Sequence, residues 1–206
     1  MRIASLVVLC LLLVAVPAVA QTYDNGPING STDAWTINFG YIVSDTFTAP
    51  SPSISAFSFG VWEFGGDSMT SVDWSITASE NGGQVFGSGT ASGKALTDTF
   101  ISSNQYGYDI DLITVTGLSV AVTSGSTYWL NLQNAVVPSG DPVFWDENSG
   151  KGCGGSGCPS LASESSVGTI PGEAFTIGGS TPEPSTIMLF GSGILGLAGL
   201  LRRKLF

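Results

Sequence analysis

The sequence contains no histidine, and only 6 of its 206 residues are Lys or Arg. Without histidine there is no Ser-His-Asp triad, no Cys-His dyad, and no zinc or haem held through imidazole. The basic residues stand against 16 acidic ones, for a formal net charge of −10. That balance excludes nucleic acid as a partner, because its phosphates need Lys and Arg. Charged residues make up only 11% of the chain, under half the roughly 25% of an ordinary soluble domain. Cysteine is scarce, with three in all. Cys10 sits in an N-terminal apolar run and follows Leu9, where a lipoprotein site needs a small residue. Glycine is the exception: its 28 residues are about twice the usual share of roughly 7%.

The apolar residues are concentrated at the two ends. Arg2, the run Ile3 to Val16 and Ala18-Val19-Ala20 form a charged n-region, an h-region and an A-x-A cleavage site. This predicts a signal peptide over residues 1–20 and a mature chain that starts at Gln21. At the other end, Thr186 to Leu201 is uncharged and is followed by Arg202-Arg203-Lys204. The stretch is slightly short for a span of about 17–25 residues. Its glycines suit a membrane helix, and the basic cluster would stay cytoplasmic.

The tail therefore combines Pro182-Glu183-Pro184, a short apolar helix over 186–201 and a basic terminus at Arg202, Arg203 and Lys204. This layout resembles the PEP-CTERM sorting signal of Gram-negative bacteria. The resemblance covers residues 181–206 and says nothing direct about residues 21–180. It implies an exosortase-like membrane cysteine transpeptidase as processing partner. It also implies anchoring in the inner membrane facing the periplasm, then release to the cell surface or beyond. A link to exopolysaccharide or biofilm matrix is implied in the same way. A permanent C-terminal anchor is the alternative reading of these residues.

Residues 21–180 form the exported domain. Lys94 and Lys151 are its only basic residues, and all but one of the 16 acidic residues lie there. Its five tryptophans and many Phe, Ile and Val set it apart from a disordered acidic segment. Hydrophobicity alternates with period two. Phe57, Phe59 and Val61 alternate with Ser58 and Gly60, and Val72, Trp74 and Ile76 with Asp73 and Ser75. Tyr108, Ile110 and Leu112 alternate with Asp109 and Asp111, and Tyr128, Leu130 and Leu132 with Trp129, Asn131 and Gln133. Such alternation marks half-buried strands. Gly-rich turns separate the runs, with hairpin tips expected at Asn81-Gly82 and Ser124-Gly125. The reading is all-β: a β-sandwich of about eight to ten strands, jelly-roll or Ig-like. Residues 147–166 read as a long Gly/Ser-rich surface loop, and Phe175 and Ile177 as a last short strand. The hairpin Leu118 to Leu132 also resembles the last hairpin of β-sandwich domains found upstream of such sorting signals.

Cys153 and Cys158 are the cysteines of the mature chain. Export places them in an oxidising compartment, so a disulfide is expected. The closed loop is so short that its stabilisation should be small. Asp141, Asp146 and Glu147 cluster before the Gly/Ser stretch. Hard oxygen ligands on loops suit calcium, although no EF-hand-type loop is present. Solvated acidic surface is the other reading of the same residues. Paired carboxylates such as Asp73, Asp109 and Asp111 could serve glycoside hydrolysis. Any acid-rich chain offers such pairs, and no enzymatic activity is expected. Trp129 shares a face with Asn131 and Gln133, and Trp145 adjoins the acidic turn. These two are the candidate carbohydrate contacts, through ring stacking beside hydrogen-bonding amides. Trp35, Trp62 and Trp74 are expected in the core. The functional expectation is a surface or matrix protein with a structural or adhesive role linked to exopolysaccharide. A carbohydrate-binding module is the alternative.

Overall fold

Alternating apolar residues, β-branched and aromatic side chains, and glycine-containing turns resolve, among the described residues, into thirteen strands and one 3-10 turn at Gly93–Ala95. The structure, a computed structural model, describes residues 21–148 and 162–179. One sheet holds β1 (Thr22–Asp24), β2 (Ala34–Thr36), β4 (Ser53–Phe64), β7 (Leu96–Ser103), β8 (Tyr108–Ala121), β10 (Phe144–Asp146) and β13 (Phe175–Gly179). The other holds β3 (Ile42–Thr48), β5 (Ser71–Ser79), β6 (Gly82–Ser92), β9 (Thr127–Val136), β11 (Ala162–Glu164) and β12 (Gly168–Ile170). Every pairing between these strands is antiparallel.

β4 organises the first sheet. Along one edge it pairs with β8 from Ser53 to Phe64, and β7 lies outside β8. Its other edge is shared: β13, then β1, occupy one half, and β10, then β2, the other. The second sheet runs β12-β11-β3-β9-β5-β6. The inner faces meet in one apolar core. Phe57, Phe59, Ile113, Val115, Phe175 and Ile177 come from the first sheet, and Val43, Phe47, Ile76, Leu130 and Leu132 from the second. Two sheets with apolar inner faces packed together form a β-sandwich.

The β5–β6 hairpin turns at Asn81 (φ +54°), a left-handed residue. The hairpin expected over Leu118 to Leu132, with its tip at Ser124-Gly125, does not form. β8 pairs with β4 and β7 in the first sheet and β9 with β3 and β5 in the second, so the turn at Gly125 (φ +80°) carries the chain from one sheet to the other. Two further expectations need correction. Residues 147–166 are not all loop, because Ala162–Glu164 pairs with both β3 and β12 and extends the second sheet. In β8, the core-facing row is Ile113 and Val115, continuing to Asp111 and Asp109. Ile110 is buried on the opposite face, beneath the segment before β2. A Cβ placed at Gly30 would lie 2.7 Å from Ile110 Cγ1, so glycine lets that segment press onto the sheet. The sheet is covered on both faces here, and simple alternation fails for that reason.

Candidate functional sites

The core-facing row of the first sheet changes chemistry at one end of the sandwich. On β4 it runs Phe57, Phe59, Val61, Glu63, and the partners on β8 run Val115, Ile113, Asp111, Asp109. The same alternation that inserts the apolar side chains therefore drives two carboxylates inward. Glu63 is fully buried, and neither of its carboxylate oxygens has a hydrogen-bond partner. Asp111 Oδ2 is in the same state. The neighbouring acids are served. Asp98 Oδ2 accepts from Met69 N at 2.6 Å and Ser68 Oγ at 3.0 Å. Asp109 accepts from Ser103 Oγ at 2.8 Å and Gly66 N at 3.1 Å. Burial, reinforced by Asp98, Asp111 and the other acids, raises Glu63 to about 8. Burial, then Asp98 and Asp109, raises Asp111 to about 6. Glu63 is accordingly a neutral carboxylic acid at pH 7.

A second group of acids lies around β3, β10 and β13. Asp45, in the inward row of β3, accepts from Asn25 Nδ2 at 3.1 Å and Glu173 N at 2.6 Å. Glu173 is fully buried, and its carboxylate oxygens have no partner. Burial first, then Asp45, Glu147 and Asp146, hold it well above the usual carboxylate range. Its backbone carbonyl accepts from the side-chain amides of Asn25 and Asn148, both at 2.7 Å.

The structure does not bring the three candidate calcium ligands together. Asp146 accepts from Trp62 Nε1 at 2.6 Å, Asn29 N at 2.8 Å and Gly30 N at 3.0 Å. Burial raises its pKa, and these hydrogen bonds oppose the rise. Glu147 Oε2 accepts from Trp35 Nε1 at 3.0 Å. Asp141 belongs to another surface, where its carbonyl accepts from Asn38 Nδ2 at 3.0 Å. Among the described residues, no group of three or more acidic, Cys or His side chains is arranged to hold a metal ion.

Trp145 is a core residue, a correction to its reading as a carbohydrate contact. It is fully buried, and its Nε1 donates to Ala174 O at 3.0 Å. Its ring packs edge-on against Phe59 and Phe175, with centroids 5.9 and 5.6 Å apart. It is drawn inward because Phe144 and Asp146, its neighbours on β10, take the opposite face. Trp129 is half-buried on the outer face of the second sheet, between its register partners Thr46 and Thr77. The adjacent Asn131 is not available to a ligand. Its Oδ1 accepts from Ser44 Oγ at 2.6 Å and Asn81 N at 3.0 Å, and its Nδ2 donates to Thr77 Oγ1 at 2.8 Å. The β5–β6 turn folds over this buried polar network.

Sequence reasoning missed an aromatic group on the outer face of the first sheet. Tyr106 stacks on Trp62 with centroids 5.8 Å apart and planes inclined by 19°. Tyr108 packs against Trp62, Phe64 and Phe144. Tyr106 stands in the turn between β7 and β8, outside any periodic run, so alternation gave no signal for it.

The remaining site expectations lie outside the described residues. They are the signal peptide over 1–20, Cys153 and Cys158, Pro182, Glu183 and Pro184, the helix over 186–201, and Arg202, Arg203 and Lys204. Among the described residues no helix is long and apolar enough to cross a membrane. Residues 180–204 match the family model of the PEP-CTERM protein-sorting motif. No curated protein matches the chain. The motif implies export, anchoring through the C-terminus before processing, and an exosortase-type processing enzyme.

Proposed function

We propose that this chain is a non-catalytic surface or matrix protein. Its β-sandwich is exported by the signal peptide, held in the inner membrane by the sorting tail until processing, and then serves a structural or adhesive role linked to exopolysaccharide. One observation carries the reading: the sorting-motif match starts at residue 180, directly after β13 ends at Gly179. The chain thus couples a folded all-β domain to a removable address. Pro182, Glu183 and Pro184 would present the chain for processing. Arg202, Arg203 and Lys204 would hold the tail's end on the cytoplasmic side until then.

Intact mass and C-terminal peptide mapping of the protein from native cell fractions test this reading. The expected mature form begins at Gln21, ends near Pro184 and sits in an outer or released fraction. Alanine in place of Pro182, Glu183 and Pro184 should leave Phe206 on the chain and hold it in the inner membrane. A wild-type chain that keeps Phe206 in every fraction would sink the sorting proposal.

A carbohydrate-binding role is the second reading. The half-buried Trp129 and the exposed Tyr106 favour it, since each offers part of an aromatic ring to solvent. Affinity electrophoresis against host polysaccharide tests it, with retardation expected and its absence counting against it.

A further inference from the structure

The turn between β2 and β3 carries an aromatic ring at a position that disfavours one. Tyr41 N donates to Asn38 O at 3.1 Å and closes a four-residue turn. Its central residues, Phe39 and Gly40, have φ of +55° and +88°. Glycine accepts such angles freely, whereas in a bulky side chain they are an outlier that costs free energy. Turns of this kind favour Asn, Asp or Gly where Phe39 stands. Phe39 does not recover that cost by burial, since it is 63% exposed.

A second left-handed, non-glycine residue faces the same space. Asn134 has φ +52° and stands at a bulge in β9, where Ser71 pairs with Val136 but Asp73 with Gln133. Bulges of this kind re-aim side chains and are common beside functional sites. Between the turn and the bulge lies a cleft of about 290 Å³, lined by Phe39, Asn134, Val136 and Asp141 among others. Asn38 braces it: Nδ2 donates to Asp141 O at 3.0 Å, and Oδ1 accepts from Val143 N at 3.4 Å. Asn134 is fixed through Nδ2 to Asp73 Oδ2 at 2.9 Å. Among the described residues, the Asp141 carboxylate and the Asn134 carbonyl oxygen accept no hydrogen bond. Strain that surrounding structure maintains is a pointer to function.

We propose that this cleft binds one ring of a neutral saccharide. The volume is at the small end of ligand pockets, which run from about 300 to 1,000 Å³, and so suits a single ring. A sugar ring has an apolar C–H face and a rim of hydroxyls. The exposed ring of Phe39 and the exposed Val136 would take the face. The Asp141 carboxylate and the Asn134 carbonyl would accept from the rim, the carboxylate more strongly because it is charged. The acidity of Asp141, in a domain with two lysines, selects against anionic sugars. This proposal rests on the carbohydrate-binding reading above and gives it a location.

The test uses the full chain in detergent, titrated with glucose, galactose and mannose, and with glucuronate as the anionic control. The readout is the aromatic resonances of Phe39 and Trp129 and the methyl resonances of Val136. At least one neutral sugar should shift Phe39 and Val136, with glucuronate weaker by at least about tenfold. Phe39→Asn should abolish the Val136 shifts yet raise the melting temperature, because Asn suits the turn. Phe39→Tyr should keep the binding. Shifts confined to Trp129, or Val136 shifts that survive Phe39→Asn, would overturn the cleft and leave the carbohydrate reading standing. Glucuronate binding as tightly as the neutral sugars would overturn the neutral selectivity. No shift with any sugar would overturn both. A lower melting temperature in Phe39→Asn would show that Phe39 is retained for packing and would remove the strain argument.

Discussion

Trp62 Nε1 donates to Asp146 Oδ1 at 2.6 Å, joining the outer face of β4 to the neighbouring β10. The same carboxylate accepts two backbone N–H groups, from Asn29 and Gly30. One side chain thus fastens the segment before β2 to the sheet. Asp146→Asn keeps the size but turns an amide N–H toward existing donors. It should lower stability by about 1–3 kcal/mol, the cost of leaving buried donors unpaired. Urea unfolding measures this as a lower midpoint with an unchanged slope; an unchanged midpoint would show that the contact is dispensable.

Acid should stabilise this protein. The folded state holds the Glu63 proton up to about pH 8, while the unfolded chain releases it near its ordinary value of 4.5. Between those values the folded state binds more protons, so stability falls as pH rises. The contribution is fully present below about 4.5 and lost through pH 8. Asp111 acts in the same direction between 3.8 and about 6. The melting temperature should therefore drop from pH 5 to pH 8, and Glu63→Gln should flatten the decline above pH 6. A melting temperature that rises over this range would contradict the assignment of Glu63 as a buried neutral acid.

Asn131 is the hub of the polar network on the outer face of the second sheet. Asn131→Ala removes partners from Ser44, the Asn81 amide and Thr77 together. A loss of about 1–3 kcal/mol is expected. The β5–β6 turn should also exchange its amide hydrogens faster, because Asn81 loses one anchor. Unaltered exchange at Asn81 would mean that Ser44 alone holds the turn.

Gly60 is needed for close approach rather than for an unusual backbone angle. A Cβ there would lie 2.7 Å from Ile28 Cγ1, 2.8 Å from Ile28 Cγ2 and 3.2 Å from Asp146 Cβ. Gly60→Ala should cost about 1–3 kcal/mol through overpacking. The double variant Gly60→Ala with Ile28→Ala, which removes both contacting γ carbons, should be more stable than the sum of the two single losses predicts. If Gly60→Ala unfolds at the wild-type midpoint, the segment over β4 is not held as tightly as the contacts indicate.

The division between what was legible in the chain and what was not has a physical basis. Alternation in Phe57 to Val61, Val72 to Ile76 and Tyr128 to Leu132 determined the all-β class, because period two is a local property of one strand. The same logic placed Trp129 opposite Leu130 and Leu132, where it lies. The sorting tail was also legible, since its order of motif, apolar run and basic end is linear. Tertiary structure alone decided the rest. Trp145 and Glu63 are buried because of which strands flank β4, and pairing between distant segments leaves no local trace. Ile110, which alternation assigned to the core, is buried instead on the opposite face, because a segment some eighty residues earlier (Gly30) covers it. The cleft at Phe39 depends on a turn, a bulge and a loop separated by about a hundred residues of sequence. No single stretch records that meeting; only the packing of the sheets brings it about.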